Sequence, residues 1–289
     1  MSIPFRKNRF EIICILPFIV FLFIFAFIPV ARTVALSFQP LPAEHHACPF
    51  TLIHYKNLFA QAAFRQAFFN TIFIATASLV LELFFGLALA LLLSTRYRFL
   101  RLLRSVFVLP FAIPTVVTGV IMSYLFTGGG WVNRILIDMA IIRTPINWMS
   151  GGFRSLIMVT LADCWKVTPL VMLILLAGLE SIDRELYRAA RIDGASDFYI
   201  FKRITLPLLM PSITTAVIIR GIDAFRIFAL PLILMGQHLK VVGTYSYLEY
   251  MEYGNPYTSA ASSTILLVMI MSAVLFYIRS VGERGVGGA

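Results

Sequence analysis

Long apolar runs separated by short charged segments recur along the chain, and six of them reach the roughly 20 residues needed to cross a hydrocarbon core. They fall at about Ile12–Val30, Phe68–Leu93, Val106–Phe126, Leu156–Ala177, Ser212–Met235 and Ser262–Ile278. Helices are predicted for all six, because lipid forces backbone hydrogen bonds to close within one segment. The ten-residue alternation of membrane barrel strands is not seen in the pattern. The first run follows a basic start (Arg6, Lys7, Arg9), as a signal peptide does. It is too long for a cleaved apolar region and shows no clear small-residue cleavage site, so it reads as a retained anchor. The expectation is an all-α polytopic membrane protein with six transmembrane helices. Residues 1–66 would hold the anchor helix and first outer loop, 67–280 the transmembrane core with an inner loop over 178–208, and 281–289 a short tail. No internal repeat is visible by eye.

Composition agrees with this reading. Hydrophobic residues make up 60% of the 289 and charged residues only 13%, about half the charged share of a soluble domain. That excludes a soluble enzyme, a disordered tail and a disulfide-stapled secreted domain. The net charge of +10 would suggest nucleic acid in a soluble protein. Its placement gives another explanation. With the N-terminus inside, fourteen of the 24 Lys and Arg lie in inner segments and seven in outer ones, and Lys166, Arg220 and Arg226 lie within spans. This two-to-one bias places both termini in the cytoplasm and removes any need for a nucleic-acid partner. The cysteines Cys14, Cys48 and Cys164 are too scattered for a disulfide framework or a metal cage. His45-His46-x-Cys48, with His54 nearby, lacks a fourth ligand at regular spacing. Contact with a partner is the better reading of that outer loop, and no metal site is expected.

The inner segment Gly178–Pro211 is patterned. Ile182, Leu186, Ala189, Ala190 and Asp193 recur at helical spacing, with Arg184, Arg188 and Arg191 off that face. Ser181 or Asp183 can cap the start, and Gly194 can stop the helix. Ser196 or Asp197 can cap a second short helix ending near Leu206-Pro207. The small residues Ala189, Ala190, Gly194 and Ala195 leave a surface that another protein can approach closely. An amphipathic helix resting on lipid headgroups fits the same residues equally well.

The run ELYRAARIDGAS, followed by Ile204, Leu206 and Pro207, resembles the "EAA" motif of binding-protein-dependent ABC importer permeases. Further likeness covers most of the chain: Leu16-Pro17 and Pro29 in the first span, Leu36-Ser37-Phe38 after it, Asn57-Leu58, Phe69-Asn70-Thr71, Gly86-Leu87-Ala88-Leu89-Ala90 and Leu109-Pro110. Arg220–Phe228 is similar to the sugar-importing branch, and the overall likeness is to trehalose- and maltose-type permeases. The resemblance implies a type I ABC importer permease fold and a coupling helix docked in a cleft of an ATP-binding subunit. Leu186, Arg188, Ala189, Ala190, Asp193, Gly194 and Ala195 would form that docking turn. The usual motif glutamate is Arg188 here, which removes any salt bridge that glutamate makes to the ATPase. The implied partners are a second related permease, two ATP-binding subunits and an extracytoplasmic sugar-binding protein or lipoprotein. ATP and Mg would be bound by the ATPase and no cofactor by this chain.

Charges at membrane depth are costly and are functional candidates by default. Arg220, Asp223 and Arg226 are spaced i, i+3, i+6 on the fifth run, Asp163 and Lys166 repeat that spacing on the fourth, and Glu82 lies on the second. Three cations and three anions allow a neutral network that holds helices in register. They equally allow a sugar path, since carboxylates and guanidinium groups offer several directed hydrogen bonds and Trp165 and Phe225 offer stacking faces. Within that path Asp223 with Arg220 or Arg226 is the leading pair. The family often carries an acid where this chain has Ala229. The chain has no P-loop, H-E-x-x-H or G-x-S-x-G signature, so ATP-driven transport would need another subunit. A gradient-driven carrier or channel using Glu82, Asp163 and Asp223 is the competing class. A membrane enzyme ranks last for want of a catalytic constellation.

Overall fold

The computed structural model describes residues 9–40, 50–94 and 98–285, and every regular element among them is helical. In chain order the helices are α1 (Cys14–Ser37), α2 (Ile53–Ala60), α3 (Ala62–Leu93), α4 (Arg98–Ala112), α5 (Thr115–Leu125) and α6 (Trp131–Asp138). They continue as α7 (Gly152–Ser181), α8 (Arg184–Ile192), α9 (Asp197–Phe225), α10 (Ala229–Met235), α11 (Val242–Met251) and α12 (Pro256–Gly285). Helices α1, α3, α7, α9 and α12 are each long and apolar enough to span a bilayer, and the bent pair α4–α5 is apolar enough to enter it as a broken span or a re-entrant hairpin.

Three expectations need correction. The third run is two helices whose axes differ by 95°. Pro114 disfavours helical geometry at Ile113 and itself sits at φ −55°, ψ 142° as the cap of α5. The fifth span stops at Phe225, ten residues short of Met235 as read from hydropathy. The chain leaves helical geometry at Phe228 (φ −141°) and restarts as α10, where Pro231 falls in the first turn and forfeits no helical hydrogen bond. Conversely, the inner helix after Gly194 does not end near Pro207. It runs unbroken through Pro207 and Pro211 to Phe225.

That continuity has a local cause. A π turn at Phe201–Thr205 precedes Leu206-Pro207, with Leu206 N–H bonded to Phe201 O. Another at Phe23–Phe27 precedes Ile28-Pro29, with Ile28 N–H bonded to Phe23 O. A proline in a regular helix clashes with the carbonyl four residues back. The wider turn moves that carbonyl aside, so each helix carries its proline without breaking.

The chain forms two compact units, one of Met1–Ala62 with Tyr245–Ile265 and one of Ala63–Thr244 with Leu266–Ala289. In the first, α1 exposes Ile15, Phe18, Phe21 and Phe25, a surface suited to lipid. Ser37 Oγ meets Tyr55 Oη at 2.6 Å. His54 Nε2 lies 2.9 Å from Gln39 O and its ring stacks on Tyr257, so this histidine is structurally engaged. Its proposed companions His45, His46 and Cys48 lie outside the described residues, as do Arg6, Lys7 and Arg96 of the charge count.

In the second unit α7 is the central helix, packed by α4 and α9. One apolar cluster joins Ile74, Met158, Val159 and Ala162 to the end of α5 and to α10. A second joins Ala90 and Leu93 to Val171, Leu175, Leu179 and Leu209. Helices approach closely at small residues, as membrane interfaces favour: a Cβ on Gly86 would lie 2.8 Å from Val171 Cγ1. The outer loop after α5 is clasped by buried Asn133. Its amide donates to Thr127 O and Ile146 O and accepts from Ile146 N–H and the Trp148 indole, each at 3.0–3.1 Å.

Candidate functional site

The inner loop begins at Asp183, whose carboxylate caps α8 by accepting from Glu185 N–H at 2.9 Å. Ser181 instead bonds back to Gly178 O. The helix closes with Ala195 N–H on Ala190 O at 2.9 Å and Gly194 N–H on Arg191 O at 3.1 Å. This is a Schellman ending. It requires the left-handed φ of +79° that Gly194 adopts, which a side chain would strain. Ser196 then caps α9 by accepting from Tyr199 N–H.

The predicted single apolar face divides in two. Ile182 is buried with the α7 end. Tyr187 packs against the same cluster, and its hydroxyl accepts from Thr205 Oγ1. Leu186 is 46% exposed and Ile192 86%. Ala189, Asp193 and Gly194 are also exposed, and Ala190 and Ala195 are half-buried. At 100° per residue, Leu186, Ala189, Ala190 and Asp193 share the outward face. Arg184, Tyr187, Arg188 and Arg191 share the opposite one. Arg188, predicted in the docking turn, therefore sits on the back of the helix, where its nearest ionic partner is Glu185 at 3.6 Å.

The membrane-depth charges assemble around one cation. Arg220 on α9 is 2% exposed. Its Nε and Nη2 fork onto both carboxylate oxygens of buried Glu82 on α3, the Nη2 bond being 2.9 Å. Nη2 also donates to buried Asp163 on α7, and Nη1 to Asp223 at 3.4 Å. One guanidinium thus pins three spans. Asp223, one turn along, keeps its side chain 64% exposed.

Of the three cations and three anions that could form a neutral network, Arg220 alone pairs with all three anions. Arg226, at the α9 terminus, is exposed and has no ion pair among the described residues. Lys166 turns from Asp163 and donates to Ile113 O at 2.7 Å. That carbonyl lost its helical partner at the α4–α5 break, and an ammonium at a helix C-terminus is electrostatically favoured. Sequence spacing could not reveal this contact, because it depends on the break itself. Trp165 is 38% exposed. Asp223 and Trp165 therefore present functional groups outward, whereas Glu82, Asp163 and Arg220 are committed to one another.

With this geometry in hand, comparison with known proteins is informative. The profile of the family described as "Binding-protein-dependent transport system inner membrane component" matches residues 82–286. The chain is 31% identical to the trehalose/maltose transport system permease protein MalF of Thermococcus litoralis over 286 residues, 96% of this chain and 95% of that protein. It is 32% identical to the trehalose transport system permease protein SugA of Mycobacterium tuberculosis over 222 residues, 75% of this chain and 70% of that one. Among solved structures, a bacterial ABC transporter involved in import of the acidic polysaccharide alginate shares the fold, with a TM-score of 0.81, 22% identity, and 95% and 96% coverage of the two chains. The apolar spanning helices, the patterned inner turn and these matches together place the chain in the family of inner-membrane permease components of binding-protein-dependent ABC importers.

Proposed function

We propose that this permease carries a sugar of the trehalose or maltose disaccharide class, delivered by an extracytoplasmic binding protein and driven by ATP hydrolysis in partner subunits. The observation that carries the coupling half is the exposed face of α8, Leu186, Ala189, Ala190 and Asp193, ended by the rigid Gly194 turn. Small residues there admit close approach by a partner surface. The ATP-binding subunits, two in number, would supply ATP and Mg chemistry, and a second related permease would complete the path. Likeness to trehalose- and maltose-type relatives supports the sugar class.

For the path itself, Asp223 and Trp165 are the sugar-facing groups. A carboxylate accepts from paired hydroxyls and an indole face covers the apolar side of a pyranose. Arg220 holds Asp223, and Glu82 with Asp163 hold Arg220. The gradient-driven alternative needs a membrane carboxylate free to load an ion. The two buried candidates, Glu82 and Asp163, are instead committed to Arg220, which favours the ATP-driven reading.

The test is uptake of labelled trehalose and maltose into liposomes holding the complete complex, with binding protein outside and ATP inside. Uptake should require internal ATP and survive ionophores. Uptake that ionophores collapse, and that is indifferent to ATP, would assign the chain to the carrier class. Ala189→Trp should abolish ATP-driven uptake by blocking the docking face.

A further inference from the structure

Behind α8, on the side away from the docking face, lies a cavity of about 700 Å3. Its basic wall is Arg184, Arg188 and Arg191, which recur at i, i+4 and i+7 and therefore stand on successive turns of one helix face. Its apolar wall is Leu91, Leu179 and Ile182, at or beside the inner ends of spans α3 and α7. Tyr187 lines it too. Because that hydroxyl accepts from Thr205, its own proton is free to point into the space.

The charge of this cavity is not cancelled within the described chain. Glu180 is in the wall, but Arg104 binds it at 2.6 Å. Arg188 meets Glu185 and Arg191 meets Asp197 only at 3.6 Å, with all four side chains at least 72% exposed. Such pairs are worth little in water and yield to a better anion. Arg184 has no ion pair among the described residues. Three guanidinium groups beside leucine and isoleucine, at the inner ends of α3 and α7, form an amphipathic site. Its complement carries a phosphate on one side and hydrocarbon on the other.

We infer that this cavity binds the phosphate of an anionic glycerophospholipid from the inner leaflet, with the guanidinium forks on the phosphate oxygens and the first acyl carbons on Leu91, Leu179 and Ile182. Free phosphate shares the headgroup chemistry but not the apolar wall. The site also gives a reason for arginine at position 188, where the family motif has glutamate: on the back face it serves the lipid. The inference rests on the geometry of α8 and the membrane setting, and it holds whichever sugar is carried.

The experiment is native mass spectrometry of the intact transporter released from nanodiscs, with phosphatidylglycerol titrated against phosphatidylcholine. The unmodified protein should retain phosphatidylglycerol preferentially. Each basic residue near an anionic lipid contributes roughly a fivefold factor, so Arg188→Gln should weaken retention about fivefold and the triple Arg184→Gln, Arg188→Gln, Arg191→Gln variant on the order of a hundredfold. These side chains are exposed, so folding is not at stake; Arg188→Lys, which keeps the charge, should restore most of the preference. Inorganic phosphate at millimolar concentration should fail to displace the lipid. Displacement by phosphate would show that the site is a free-anion site and overturn the lipid assignment. Equal retention by the triple variant, or retention seen only when the ATP-binding subunits are stripped away, would overturn it as well; the second result would assign the cavity to the ATPase. Because lipid retention is read without ATP or sugar, failure of the coupling proposal leaves this outcome unchanged.

Discussion

Around Arg220, each group's role follows from what it can still bond. Its donors are taken by Glu82, Asp163 and Asp223, so it has little left for a passing hydroxyl, and its proposed role is to position Asp223. Two predictions separate the roles. Asp223→Asn should leave assembly and thermal stability of the complex unchanged, since the side chain is exposed, but should cut sugar uptake at least tenfold. That factor is the cost of about one charge-assisted hydrogen bond to the substrate. Normal uptake by this variant would remove Asp223 from the sugar path. Arg220→Met should instead destabilise the protein by about 3–5 kcal/mol, the typical cost of stranding a buried ion-pair partner. Adding Glu82→Gln and Asp163→Asn should recover part of that loss in a detergent melting experiment. Independent, additive losses across those variants would mean that the three groups do not act as one unit.

Among the elements, hydropathy found each apolar run but not the bend in the third or the end of the fifth, and residue periodicity with capping chemistry located the α8–Gly194 turn. Asp183, Gly194 and Ser196 do there what their side chains and backbone freedom suggest. What sequence could not give was whether a proline interrupts its helix. Pro29, Pro207 and Pro211 are carried within continuous helices, the first two behind π turns, whereas Pro114 ends one. Hydropathy is blind to this difference, because a bent pair and a straight helix can have the same composition. The partner of Lys166 was hidden for the same reason. Pro114 imposes the α4–α5 break and Lys166 satisfies the carbonyl it frees, so Lys166→Met would leave Ile113 O without its ammonium donor. Orphaning this half-buried carbonyl costs at most about 1–3 kcal/mol, the figure for a fully buried one, so a fall in melting temperature is expected, with faster hydrogen exchange confined to residues around 110–118. An unchanged exchange pattern there would show that another group holds the break.

At the level of the whole molecule, the two proposed interfaces lie on chemically different ground, which makes them separable. The docking face of α8 is a small inner projection that contributes no buried side chain of its own, while the proposed contact with a second permease would be made by the spans. A change confined to the α8 turn should therefore remove one partner and spare the other. Gly194→Trp is suited to this. Beyond its chain neighbours no atom lies within 4 Å of an added Cβ, and the position is exposed, so the side chain starts into open space. The φ of +79° nonetheless penalises any side chain by about 1–2 kcal/mol, enough to loosen the turn without unfolding the spans. Purified in mild detergent, the unmodified chain should bring a P-loop ATPase and a second permease with it. The Gly194→Trp chain should retain the permease and lose most of the ATPase, and uptake should fall in proportion. If both partners are lost, the turn contributes to permease pairing and the separation drawn here is wrong. If both are kept and uptake is normal, α8 does not transmit the ATPase stroke, and the inner loop must be assigned another role, beginning with the lipid site on its opposite face.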